Sequence, residues 1–400
     1  MSFRYIAGIL GTSPTIVGPV GGEGGSAPGI WSTASQANLQ ALGTWPKPVI
    51  PGLFVTGRNQ IGQLGTSNTT QYSSLVQVGT LTTWNKLESG YAHTAAIKTD
   101  GTLWTWGENG QGQLGIGSTS DRNSPVQVGA LTAWRDVVCG ANYTIATKTD
   151  GTLWAWGQND FGQLGLGNTT YYSSPKQVGA LTNWLNIGCG TYHTIATQTN
   201  SSLWTWGYNQ FGMLGNGNTV STSSPNQVGA LTNWLNIGCG MYTISIVSKT
   251  DGTLWTWGDG GAGKLGLGNT TSYSSPKQVG ALTTWLKVAG GQDMSAAIKT
   301  DGTLWSWGGN AYGQLGLGNT TQYSSPKQIG SLTTWYTIKN GNQFFLSIKT
   351  DGTLWSWGIN DFGQLGVGSL INKSSPNQVG GASTWANAAG GSYSALGIKS

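Results

Sequence analysis

The sequence predicts an all-β protein: a seven-bladed β-propeller of four-stranded blades, preceded by an extended N-terminal arm. Three observations carry this. One 50-residue motif occurs seven times, nothing in it has ten residues of helical periodicity, and the two ends of the array each lack a strand that the other end holds.

The period is read from the glycine that closes each LWxWG-like run: Gly57, Gly107, Gly157, Gly207, Gly258, Gly308 and Gly358. The single 51-residue step arises between Gly240 and Asp251, where MYTISIVSKT replaces TYHTIATQTN. Tryptophan follows the period closely. Twelve of the 21 lie in six LWxWG runs, and seven recur once per copy at Trp84, Trp134, Trp184, Trp234, Trp285, Trp335 and Trp385. Trp31 and Trp45 stand outside. Six prolines hold one repeat position (Pro125, Pro175, Pro225, Pro276, Pro326, Pro376), and the other six precede residue 52. The chain therefore divides into an arm, 1–52, and a repeat domain, 53–400.

In the second copy the expected strands are Leu103–Gly107, residues 126–128, Trp134–Cys139 and Tyr143–Lys148, with a long Gly/Asn/Ser loop after the first. Thr-Asp-Gly-Thr joins each copy to the next at Asp100, Asp150, Asp251, Asp301 and Asp351, with Asn200-Ser201 as a degenerate version. Asp-Gly suits a two-residue hairpin turn in which both positions take φ > 0. The last copy stops where the others make this turn, and the first begins with no strand before it. Pairing 394–399 with 53–57 sets Phe54 and Val55 against Leu396 and Ile398. That closes a ring and removes two open sheet edges.

Composition excludes several partner classes. Charged residues are 8%, and the net charge of +5 is spread so thinly that no two basic residues adjoin. A nucleic-acid surface needs clustered Lys and Arg, so no nucleic-acid partner is expected. No window approaches the roughly 18 apolar residues of a membrane-spanning helix, and no membrane insertion is expected. The opening MSFRYIAGILGTSP is too weakly apolar for a secretory signal.

The stretch WGQNDFGQLGLGNTTYYSSPKQVGALTNWLNIGCGTYHTIATQTN, Trp156 to Asn200, resembles the regulator-of-chromosome-condensation repeat. The likeness extends over all seven copies and implies a seven-bladed propeller. It implies no single function, because the family holds nucleotide exchangers, inhibitors and unassigned microbial proteins. The exchanger and chromatin-binding members rely on charged surfaces and extensions that this chain lacks. A β-lactamase inhibitor of similar repeat type would use aromatic loops on one face.

No catalytic, metal-binding or cofactor-binding residue is expected. His93 and His193 share a slot with Tyr143, Thr243, Met294, Phe345 and Ser394, which reads as packing. Cys139, Cys189 and Cys239 recur 50 residues apart, unlike the short paired spacings of zinc sites. Other copies place Ser89, Ala289, Asn340 or Ala389 there, so a buried small residue is expected. GQLGxG lacks the Lys-Ser/Thr of a phosphate loop and reads as a turn. The NTT triplets at Asn68, Asn168, Asn269 and Asn319 read as loop chemistry rather than modification. No single blade diverges toward His, Asp or Glu, as an enzyme's would.

Two surfaces remain as binding candidates. Aromatic residues in the long loops (Phe161, Tyr171, Tyr208, Phe211, Tyr312, Phe362) either form a binding rim or pack on the next blade. The arm has Arg4, Glu23 and Lys47 as its only charges and cannot build its own core. Its apolar groups Phe3, Tyr5, Ile6, Ile30, Trp31 and Trp45 form a candidate docking segment, with a plain disordered leader as the alternative. The run APGIWSTASQANLQALGTWP is similar to N-terminal stretches of tailed-phage virion proteins. The resulting expectation is a non-enzymatic virion protein, without cofactor. Its arm would dock on a tail or capsid protein, and its propeller would serve as an interaction head toward a host receptor or glycan. The alternative is a secreted or cell-surface bacterial adhesion propeller.

Overall fold

In the computed structural model, which describes residues 52–239, 243–381 and 384–399, each LWxWG run is a five-residue strand buried on both sides. The strand after it in the sheet, HTAAIK in His93–Lys98, is buried at all six positions. Alternating polarity is lost because each sheet is sandwiched between two others.

Twenty-eight strands, β1 to β28 in chain order, form seven antiparallel four-stranded sheets. The pattern is seen in β3 (Trp84–Ser89), β4 (His93–Lys98), β5 (Leu103–Gly107) and β6 (Arg122–Gln127), which lie side by side in that order. Each sheet thus joins the last two strands of one copy to the first two of the next. β3 and its equivalents contact one another around the axis and line a channel of about 170 Å3. β6 and its equivalents form the outer rim.

The seventh sheet closes the ring. It contains β2 (Tyr72–Gln77), β1 (Gly52–Gly57), β28 (Ser394–Lys399) and β27 (Trp385–Gly390), in that order. Phe54 lies opposite Gly397, Val55 opposite Leu396 and Leu53 opposite Ile398, six facing pairs in all between β1 and β28. Leu53, Val55, Leu396 and Ile398 are buried in one core cluster. The expected closure is therefore present.

Three expectations are corrected. The strand expected at 126–128 runs over Arg122–Gln127; it is half-exposed, rich in Ser and Asn, and bulged against β5, so no apolar pattern marks its start. The Asp-Gly turn holds only its glycine at positive φ (Gly101, +77°). The Gly101 N–H donates to Lys98 O and the Lys98 N–H to Thr102 O, a type I turn followed by a glycine bulge. Asp100 keeps negative φ because its Oδ1 accepts both the N–H and the hydroxyl of Thr102, 2.9 and 2.6 Å away. Thr102 Oγ1 accepts in turn from Trp104 Nε1, and Lys98 Nζ lies 3.6 Å from the Trp104 ring centroid. The DGTLW motif is this one network. In the degenerate copy Ser201 takes the left-handed position itself, at φ 60°.

The third correction concerns register. The residues paired with the LWxWG-closing glycines are His93, Tyr143, His193, Ile244, Met294, Phe344 and Ser394, so Thr243 and Phe345 lie one place off the slot. By the same strand alignment Gly290 and Gly390, not Ala289 and Ala389, are equivalent to Cys139.

Blades are fastened by a recurring contact. Trp156 Nε1 and Thr144 Oγ1 both donate to Gln113 O of the preceding blade's loop, at 2.9 and 2.8 Å. Trp106, Trp206, Trp257 and Trp307 repeat it, on Gln63, Gln163, Met213 and Lys264. The sheet that joins copies six and seven departs from this: Phe345 replaces the hydroxyl residue, and Trp357 Nε1 finds no acceptor among the described residues. Copy one has Thr56 in place of the indole, donating to Gly363 O at 2.9 Å.

Candidate functional site

Antiparallel connectivity gives the ring two unlike faces. The Asp-Gly turns and the Gly-Ala-Leu-Thr segments occupy one, the turn face. The GQLG loops and the short β3–β4 connections occupy the other, the loop face. The Asp-Gly turns and Gly-Ala-Leu-Thr segments are nearly alike from copy to copy, whereas the loop face differs sharply.

The residue after each strand-closing glycine is Arg58, Glu108, Gln158, Tyr208, Asp259, Gly309 or Ile359: seven copies, seven residue types. Its backbone N–H donates to the carbonyl just before the histidine slot, at Tyr393, Ala92, Asn142, Tyr192, Thr243, Asp293 and Gln343 respectively, over 2.7–3.0 Å. The preceding blade's loop adds a third residue: Phe161 meets Tyr192 and Tyr208, and Phe362 meets Tyr393 and Arg58. The loop face is thus a circle of unlike groups on a repetitive scaffold.

Three of the six rim aromatics pack against other rings, in two separate clusters. Phe161 lies 4.5 Å from Tyr208 and 5.3 Å from Tyr192 between ring centroids. Phe362 lies 5.0 Å from Tyr393, whose ring is edge-on to Tyr91 at 6.2 Å. Tyr171 is 38% exposed, and burial together with the Asp160 carboxylate beside it pushes its hydroxyl above the usual range. Phe211 and Tyr312 are exposed without a ring partner among the described residues. Sequence reasoning missed Tyr91, Tyr192 and Tyr393, because they lie in β3–β4 connections rather than in the long loops. Phe3, Tyr5, Ile6, Ile30, Trp31 and Trp45 lie outside the described residues.

At the loop-face mouth of the channel, Tyr91, Asn142, Thr191, Tyr192 and Ser392 line a cavity of about 180 Å3, with Cys139 and Cys189 also in its wall. Both cysteines are half-buried rather than buried. Burial, then Glu88, holds the Cys139 thiol well above its ordinary pKa, which makes it a poor nucleophile. Deeper in the channel Lys339 pairs with Glu88, whose charge raises the lysine's pKa. No cluster of three metal-ligating side chains occurs among the described residues.

His93 and His193 are wholly buried. Burial lowers each pKa from 6.5 to about 4, so both are neutral at pH 7. His93 Nε2 lies 3.0 Å from Thr144 Oγ1, and Thr144 spends its only proton on Gln113 O. Nε2 must therefore carry the hydrogen and donate. His193 stands in the same relation to Ser245. Both histidines are blade-to-blade ties.

One blade does diverge, contrary to the sequence expectation. Lys264 fills the Gln slot of its GQLG loop and is buried, with Asp259 at 2.7 Å and Asp293 at 3.3 Å. Burial works against the Asp259 charge, but the Lys264 hydrogen bond and the Gly261 N–H hold its carboxyl below the usual range. The lysine consumes both carboxylates, and the cluster is a structural one. A comparison of the copies column by column would have shown it.

The model for the regulator of chromosome condensation (RCC1) repeat matches residues 100–147, 150–197, 200–245, 251–298, 301–348 and 351–398. A second model of the same repeat matches 84–113, 134–163 and 285–314. No curated protein matches the chain by sequence. Among solved structures, human WBSCR16 is similar at TM-score 0.78 and 20% identity, over 87% of this chain and 98% of that one. Prp20p of Saccharomyces cerevisiae, described with its binding to Gsp1p and histones, is similar at TM-score 0.79 and 17% identity, over 88% and 92%. Yeast RCC1 (Prp20) bound to Kap60 is similar at 0.78 and 17%, over 88% and 89%.

Proposed function

Because the chain belongs to the regulator of chromosome condensation (RCC1) repeat family, we propose that it works without catalysis, as a rigid interaction head that binds a partner through its loop face. One observation carries this reading: seven different residues follow the strand-closing glycine around the loop face, while the Asp-Gly turns and Gly-Ala-Leu-Thr segments of the other face repeat almost unchanged. Folding places the same demand on every copy, so a position that only supports the ring has no reason to differ seven ways. A position that meets an irregular partner does. Yeast Prp20 is described with protein partners, Gsp1p, histones and Kap60, which is in keeping with such a role.

In the same reading residues 1–52 dock on a tail or capsid protein of a tailed phage, supported by the virion-like stretch 27–46 and its apolar groups. The test is particle assembly. The protein should co-purify with assembled particles, and deletion of residues 1–50 should abolish incorporation while leaving a folded ring. Charge substitutions on the loop face should spare incorporation and abolish attachment to the partner. Accumulation as free, unassembled protein in the medium would favour the secreted alternative.

A further inference from the structure

Building on the assignment of the loop face as the recognition surface, we propose that its axial mouth is a binding site for a neutral oligosaccharide. The cavity of about 180 Å3 lies between Tyr91 and Tyr192, with the Asn142 amide and the Thr191 and Ser392 hydroxyls around it. Aromatic rings continue outward on both sides. Tyr91 leads to Tyr393 and Phe362, and Tyr192 leads to Phe161 and Tyr208. The result is an arc of six rings with a polar pocket at its centre.

The ligand chemistry follows from the groups. Tyrosine and phenylalanine rings offer broad apolar surface with a polar tip, at little entropic cost. Between them stand hydroxyls and amides, which both donate and accept. Asn142 Oδ1 is buried and has no hydrogen-bond partner among the described residues, so it awaits a donor. A pyranose meets each demand: its C–H face lies on a ring, and its hydroxyls donate and accept in several directions. A proline-rich peptide also suits aromatic grooves, but proline has no N–H for the Asn142 acceptor. Charge selects a neutral sugar. Among the described residues no charged side chain lines the pocket, and the arc carries charges of both signs, Asp160 next to Phe161 and Arg58 over Phe362 and Tyr393, so neither sign is favoured.

Isothermal titration of the full chain with cellohexaose, maltohexaose, chitohexaose and decaproline tests the site. At least one hexasaccharide should bind. Tyr192→Ala and Asn142→Ala should each weaken it about tenfold or more, while Leu181→Ala, exposed on the turn face, leaves it unchanged. Tyr192→Phe keeps the ring and its packing on Phe161, and should retain most of the affinity even if Tyr192→Ala disturbs the loop. The proposal is overturned if no hexasaccharide binds at about 1 mM, if decaproline binds instead, or if a folded Tyr192→Ala binds as tightly as the parent. In any of those cases, loss of partner attachment on substituting Glu108 or Ile359 would leave the loop-face reading standing; if attachment survives that too, both fall.

Discussion

Trp156→Ala is expected to destabilise the protein by about 3–5 kcal/mol, the cost of deleting a fully buried indole that the surroundings cannot collapse to fill. The site has little room to relax. The ring stands edge-on to Trp134 at 5.9 Å, and a Cβ on Gly115, whose φ is +69°, would come within 2.6 Å of Nε1. Trp156→Phe separates the hydrogen bond to Gln113 O from the packing and should cost about 1 kcal/mol beyond the lost ring area. Trp357 supplies the control. It is equally buried, but its Nε1 has no acceptor among the described residues, so Trp357→Phe removes no bond and relieves an unsatisfied donor. Both variants lose ring area, and the urea midpoint should fall clearly further for Trp156→Phe, which also loses the bond, than for Trp357→Phe. Equal losses at the two sites would show that the indole bond does not fasten the blades.

Acidification from pH 6.5 to 4 should remove about 3 kcal/mol of stability for each buried histidine. His93 and His193 have folded pKa values of about 4, set chiefly by burial, against an unfolded value of 6.5. Within that window the unfolded chain binds protons that the folded ring refuses. The stabilisation is therefore complete above pH 6.5 and drains away as pH falls toward 4. The Asp-Gly carboxylates titrate lower: Asp100, Asp150, Asp251, Asp301 and Asp351 are held below the ordinary value by hydrogen bonds from the following threonine, so their loss begins at more acid pH. Urea unfolding at a series of pH values should show the slope between 6.5 and 4, and the double variant His93→Gln, His193→Gln should flatten it. A slope that survives in the double variant would place it elsewhere.

The strands were legible where tryptophan or a doubly buried run marks them. Leu103–Gly107 and Tyr143–Lys148 stand at the expected bounds because both faces of those strands are packed, and Trp134–Cys139 because its leading tryptophan marks it. The rim strand was not, since Arg122–Gln127 is half-exposed and any small polar residue satisfies it. Ring closure was legible because an unpaired strand at each end is visible as a missing turn. The candidate site was legible only in part. Phe161 and Phe362 are conspicuous, but their partners Tyr192 and Tyr393 lie about thirty positions on, in the following blade, and the fold alone brings them together. The Lys264 cluster has the same character, with Asp293 supplied across a blade boundary. Proximity between blades is not periodic in any one copy, so the repeat pattern that reveals the ring conceals what its surface assembles.

Closure of the ring by β1 and β28 is the claim on which the rest depends. Val55 and Leu396 face each other across that pair. Val55→Cys and Leu396→Cys, introduced together after replacing Cys139, Cys189 and Cys239 by serine, should form an intramolecular disulfide under mild oxidation of the folded protein. The product should run as a compact monomer on a non-reducing denaturing gel. Free thiols in the folded protein, or disulfide-linked dimers in place of the monomer, would contradict the closure.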